Sequence, residues 1–351
     1  MTQPERDRLV ARIIAGVVPL RVYWGGSFRY FLIRRPSRLE LFEVEQTYER
    51  ALQEAEMEGL LKDDELERYL WQEGFWDEPR ERALLEFQQN IEKLKIGMYQ
   101  NRHDRDVLSA SRRKLEITHE KIAELLMQKH AHDSLSCAGY ARLCKTRHRL
   151  AISLHEGDSR VFPALSYLAD DSTLLDRCIA AWNETQLDDR TIRDCARNVP
   201  WRAIWQSRES SRSLFGLDTV DYTEEQHQLV AASNLYEQVR NHPECPSDFV
   251  LNDDDLLDGW LILEHKKQAQ AEDEKDIEST IHSTKIKNSQ EVFKVVGKNK
   301  ELAKKVNAMN SDGARKTIEK RFQAIEEKGA MSIQNLPDMQ QRIRMEQNNM
   351  Q

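Results

Sequence analysis

The sequence predicts a mainly α protein of helical hairpins and bundles, with a small N-terminal β-hairpin and a polar hinge before a small C-terminal unit. Three observations predict it. Apolar residues recur at helical three- and four-residue spacing through much of the first 240 residues, glycines stand where those patterns stop, and a clear strand-turn-strand signal occurs at one place. The 32% charged residues and mean hydropathy of −0.73 add polarity high for one large globule, so an elongated arrangement is expected.

An amphipathic helix is expected over 5–15. Leu20-Arg21-Val22-Tyr23-Trp24 and Phe28-Arg29-Tyr30-Phe31-Leu32-Ile33 then flank Gly25-Gly26-Ser27, a tight hairpin. Pro36 ends it, and Ser37 is placed to accept the free amide hydrogens of the next helix. That helix, 39–58, carries Leu41, Val44, Tyr48, Leu52 and Ala55 on one stripe and stops at Gly59. A shorter helix from Asp63 or Asp64 ends at Gly74. A third begins near Asp77, with Pro79 tolerated in its first turn, and runs through Leu84, Phe87, Ile91, Leu94 and Met98. Residues 102–134 repeat an apolar stripe without Gly or Pro and pair with 78–100 as a helical hairpin; the heptads are too few for a long coiled coil.

Further helices are expected at 136–155, 163–169, 171–185, 188–197 and 200–208, and a strong one over Thr223–Asn241. Asn252-Asp253-Asp254-Asp255 precedes Leu256–Leu263 as a cap and docking element. Residues 265–290 are polar enough for a linker helix or a disordered bridge. Beyond them stand Val292-Phe293-Lys294-Val295-Val296, helices near 298–308 and 311–328, and a tail from Pro337. The expected organisation is a basic arm with the hairpin (1–38), a helical bundle (39–134), a second helical domain (135–264), a linker (265–290) and a C-terminal unit (291–351).

Charge is lopsided. Residues 1–38 hold eight Arg against Glu5 and Asp7, Asp253–Glu278 holds ten acids and three Lys, and 285–351 holds fourteen Lys or Arg against eight acids. Solvated surface accounts for most such runs, and docking on several partners is the alternative. Five cysteines with no CxxC pair fit a reducing compartment, and the run Ile13–Val18 is too short for a signal segment or a membrane span.

The residues closest to a metal set are His130, His132, Cys137, Cys144 and His148. On one helix the last three spread about 16 Å along the axis, too far for one ion, so cysteine packing is the better reading. Asp253, Asp254, Asp255 and Asp258 lack the spacing and glycine of a calcium loop and read as a helix cap or an acidic docking patch. Asp77, Glu78, Glu81 and Glu86 offer no catalytic partner. Catalytic, cofactor and metal residues are therefore expected to be absent, an unrecognised helical enzyme being the outside alternative that stoichiometric metal in purified protein would support. The basic arm with Tyr23, Trp24, Phe28, Tyr30 and Phe31 suits either single-stranded nucleic acid or a protein surface, with protein contact preferred. Trp71, Phe75 and Trp76 read first as core. The expected interface residues are Trp24, Tyr30, Trp71, Trp76, Asp253, Asp254, Asp255 and Trp260.

Leu60-Leu61-Lys62-Asp63-Asp64-Glu65, Gly74-Phe75-Trp76 and Ile91-Glu92-Lys93-Leu94-Lys95 resemble structural and tail-assembly proteins of large tailed bacteriophages with contractile, T4-like tails. Cys137-Ala138-Gly139-Tyr140-Ala141, Trp201-Arg202-Ala203-Ile204-Trp205 and Asp253–Trp260 continue the likeness, as do Asn310-Ser311, Arg321 and Leu336-Pro337-Asp338. None of these strings encodes chemistry. The resemblance, spanning residues 40–340, implies a non-enzymatic tail or baseplate subunit or an assembly chaperone. It would work without a cofactor in the host cytoplasm or the mature virion, with other phage structural proteins or copies of itself as partners. The rival expectation is a nucleic-acid-associated protein using the basic arm and the Lys-rich C-terminal region; a membrane partner is not expected.

Overall fold

The computed structural model describes residues 1–163, 173–208 and 214–282, so the segment at 163–169 lies largely, and the C-terminal elements beyond 290 wholly, outside the described residues. The fold is mainly α. Helix α1 (Gln3–Ala15) ends at Gly16, whose left-handed φ of 62° lets its N–H reach the Arg12 and Ile13 carbonyls. Strands β1 (Val17–Trp24) and β2 (Ser27–Arg34) form the expected hairpin, with Gly25 and Gly26 at φ 60° and 84°. Positive φ at both turn residues matches the turn to the strands' right-handed twist.

Helix α2 (Arg38–Glu58) starts as read from the sequence: Ser37 Oγ accepts from the Glu40 N–H and Glu40 Oε2 from the Ser37 N–H, and Gly59 closes the helix at φ 81°. Helices α3 (Asp63–Gln72), α4 (Glu78–Gln100) and α5 (Arg105–His130) follow, and α4 packs on α5 across a four-residue connection. Helix α6 (Cys137–Ser153) lies along α2. Its C-terminal end departs from the helix expected over 136–155, because residues 154 and 155 open strand β3 (Leu154–Glu156). This turns through Gly157 into β4 (Ser159–Arg160), giving an antiparallel sheet ordered β1-β2-β3-β4. Strands of three and two residues carry too little alternation to be read locally.

Helices α7 (Thr173–Glu184), α8 (Asp189–Arg197), α9 (Trp201–Ser207), α10 (Glu224–Arg240), α11 (Asp248–Leu251) and α12 (Asp254–His282) complete the described chain. The stretch 265–282, expected as a polar linker, is helical. By internal contacts the chain divides into two units, Met1–Ile262 and Leu263–Gln351; within the second, the described residues continue α12.

In the first unit one core joins Val10 and Ile13 of α1, Met98 of α4, Ile192 of α8, Trp201 of α9, Leu229 of α10 and Leu256, Leu257 and Trp260 of α12. A second core lies under the sheet, where Leu20, Val22 and Phe31 meet Leu150 of α6 and Leu175 and Cys178 of α7. A third holds Leu66, Leu70 and Trp76. Segments 1–38, 39–134 and 135–262 thus share cores, each fully buried aliphatic side chain contributing about 1.5–3 kcal/mol of transfer free energy. Gln226 ties the unit together: its Oε1 accepts from the Thr223 N–H that begins α10, and its Nε2 donates to the Ile13 carbonyl at 3.0 Å.

Candidate functional site

The hairpin register decides which aromatic rings meet solvent. Arg21 pairs with Tyr30 and Tyr23 with Phe28, so these four share one face, while the opposite face carries Leu20, Val22 and Phe31 into the core. Tyr23, Phe28 and Tyr30 stay 52%, 55% and 66% exposed. The Tyr23 and Phe28 rings meet edge to face at 5.3 Å, and the Arg21 guanidinium lies 4.0 Å from the Phe28 centroid. Arg177 of α7 donates to the Tyr23 carbonyl at 2.8 Å and lies over the half-buried Trp24 ring, holding the hairpin end in place.

Of the interface residues expected from sequence, Tyr30 and Trp71 are exposed and Trp24 is half-buried. Trp76 is buried, as the core reading expects, donating to Glu81 at 2.9 Å, which corrects its place among the contacts, and Trp260 is corrected likewise, buried and packing edge to face on His242; Trp71 and Phe75, read first as core, are 41% and 46% exposed. Tyr23 and Phe28, outside the expected interface set, are exposed beside Tyr30. The signal that finds them is strand alternation counted outward from a two-residue turn.

The acidic patch is likewise corrected. Asp253 pairs with Arg112 and accepts from the Leu256 N–H as a helix cap; Asp254 pairs with Arg197 at 2.7 Å and Asp255 with Arg190 at 3.5 Å. Asp258 receives Lys95 at 2.6 Å and Arg193 at 2.7 Å. These carboxylates neutralise cations of the same unit. The basic arm behaves alike: Arg6, Arg12, Arg34, Arg35 and Arg38 each pair with an acid within hydrogen-bond reach, Arg29 comes only to 3.8 Å of Glu156, and Arg8 and Arg21 have no acid partner among the described residues.

A cleft of about 380 Å³ opens where the sheet, α2, α6, α7 and the start of α10 meet. Val18, Ile33, Leu150 and Trp182 supply apolar lining, and Arg34, Arg35, Arg142, Lys145 and Arg149 a basic rim, with Glu224 and Glu225 also bordering it. Arg142, Lys145, Thr146 and Arg149 recur at i, i+3, i+4 and i+7 and so share one side of α6, a spacing already present in the sequence.

Asp221 holds Arg35 at 3.0 Å and also binds Arg38. Hydrogen bonds, first from Arg38 and then from Arg35, outweigh desolvation and push its carboxyl down from 3.8 to about 2. A depressed folded pKa gives stability that is fully present above the ordinary value and is lost as pH falls through about 2. In melting curves taken from neutral pH downward, Asp221→Asn is expected to melt below the native chain at neutral pH and converge with it near pH 2. A constant offset would show that the loss does not come from the carboxylate's charge, and coincident curves that the pairing contributes nothing.

The cysteines expected to pack, and the histidines near them in sequence, have separate partners. Cys137 is buried and donates to the Leu60 carbonyl, His130 bonds Asp133 at 3.0 Å, and the His132 ring lies tilted against Phe75 at 4.9 Å. Among the described residues no three His, Cys, Asp or Glu side chains converge as for a metal ion, and no helix is long and apolar enough to cross a membrane. Burial pushes the Cys178 thiol up to about 12 and Cys195 to about 11, keeping both protonated at neutral pH. Glu81, weighed as a catalytic acid, is occupied by Lys129 at 2.8 Å and by Trp76, which hold its carboxyl below the usual range. No family model, curated protein or solved structure matches the chain.

Proposed function

We propose that this chain is a non-enzymatic protein-binding component of an assembly and docks through the outward face of its N-terminal hairpin. The observation that carries this reading is the cluster of three exposed aromatic rings, Tyr23, Phe28 and Tyr30, on one face with Arg21. Aromatic rings and arginine concentrate binding energy at protein interfaces, and contiguous exposed aromatic surface on a folded unit marks an interaction site. The assembly of a contractile phage tail or baseplate, as subunit or as chaperone, is the setting the sequence resemblance supplies for this role.

The rival nucleic-acid reading needs free cations along a backbone track. It is disfavoured by the five arm arginines that already hold acids within hydrogen-bond reach.

The test is quantitative affinity capture from lysate of phage-infected cells, with mass spectrometry of purified virions alongside. The native chain is expected to retain a phage structural protein at a fixed molar ratio. Tyr23→Ser/Phe28→Ser/Tyr30→Ser is expected to lose it at least about tenfold while the chain stays folded, its melting temperature lowered only by the lost surface contacts of the hairpin, since none of the three side chains enters a core. Equal capture by both chains, or salt-sensitive capture of nucleic acid in place of protein, overturns the proposal.

A further inference from the structure

We infer that the cleft between the sheet, α6 and α10 is a binding site for a small amphipathic anion, its charged head on the Arg142–Arg149 side of α6 and its apolar body against the sheet and Trp182. This stands independently of the docking face.

The apolar wall comes from tertiary packing. Val18 and Ile33 are directly opposed across the β1/β2 ladder and present adjoining aliphatic surface, which Leu150 and Trp182 extend from the core beneath the sheet. At about 380 Å³ the space falls at the lower end of the roughly 300–1,000 Å³ range of small-molecule pockets. A short acyl or aromatic body suits it.

The charged groups of the rim are unequally neutralised. Lys145 holds Glu45 at 2.7 Å, Arg34 holds Asp158 at 2.8 Å and Arg35 holds Asp221 at 3.0 Å. Arg149 has no acid partner among the described residues, and the acid nearest Arg142, Asp133, stands at 3.9 Å, beyond hydrogen-bond reach. Two guanidinium forks on one side of a helix therefore keep donors for a carboxylate or phosphate, which they bind in bidentate fashion. Glu225 on the opposite wall is engaged by Arg12, and Glu224 sits in the first turn of α10. Glu225 is neutralised by Arg12, so it is the charge of Glu224 that repels an anionic head from that side and orients the ligand with its head toward α6.

The experiment is isothermal titration of the full chain with sodium decanoate below its micellar concentration. The same measurement is made with decyltrimethylammonium, which has the same body and the opposite charge, and with inorganic phosphate, which has no body. Saturable one-to-one binding of decanoate is expected, with decyltrimethylammonium and phosphate each at least about tenfold weaker. R142Q/R149Q is expected to weaken decanoate by a similar factor. Both arginines are exposed, and an unchanged melting temperature shows that the fold is kept. Thr146→Glu, which sets an acid between the two forks at an exposed position, supplies a second variant with the same expected loss. Decanoate binding unaltered in both variants, equal binding of the cationic probe, or no saturable decanoate binding overturns the inference.

Discussion

Asp258→Ala is expected to destabilise the first unit by about 3 kcal/mol, read as a shift in its denaturant midpoint. Asp258 sits between Lys95 of α4 and Arg193 of α8, all three side chains only 17–18% exposed, and removing it strands Lys95 and takes one of two acids from Arg193 where water reaches them poorly. Arg193 keeps Asp189 at 2.7 Å, so the loss falls at the lower end of the range for broken buried pairs. Desolvation makes such a network costly to build as well as costly to break. K95M/D258L, which removes one cation together with the acid and fills the space with apolar atoms, is therefore expected to recover part of the loss. If Asp258→Ala shifts the midpoint no more than a surface substitution does, the three groups are solvated and the network carries no weight.

Gly259→Ala is expected to cost about 3 kcal/mol and Gly259→Val more, from backbone overlap. A Cβ at Gly259 would stand 2.1 Å from the Lys95 carbonyl oxygen and 3.0 Å from the Tyr99 Cβ, so α12 and α4 touch there through main chain and cannot yield by a rotamer change. Gly97, on α4 itself, has nothing within 4 Å of its would-be Cβ. Gly97→Ala is expected to stabilise by about 0.5–1 kcal/mol, because alanine restricts the unfolded chain without meeting a neighbour. Opposite signs at two glycines flanking one helix crossing separate close approach from helix propensity. The same sign at both would refute the crossing.

Much of the secondary structure was legible because its signals are local. Ser37 and Gly59 bracket α2, Thr223 and Gln226 start α10, and Gly25-Gly26 places the hairpin, each through hydrogen bonds or φ angles made within four residues. The pairing of α4 with α5 followed from their short connection and shared periodicity. Strands β3 and β4 were hidden because two or three residues carry no period; they exist because the edge of β2 offers unpaired backbone groups to Leu154 and His155.

By itself, then, the sequence determined the mainly α class, the hairpin and most helix limits. It also determined which residue types could serve as contacts, since period, caps and turn glycines act over a few positions. Only the tertiary structure decided which of those residues are spent inside the fold. Trp76 and Trp260 went to the core while Tyr23, Phe28 and Tyr30 stayed outside, and Asp258 met Lys95 across 163 positions. The physical reason is that an aromatic ring or a carboxylate is the same group in a core, in an ion pair or at an interface. Its role is set by the neighbour brought against it, and that neighbour is chosen by packing between segments far apart in the chain.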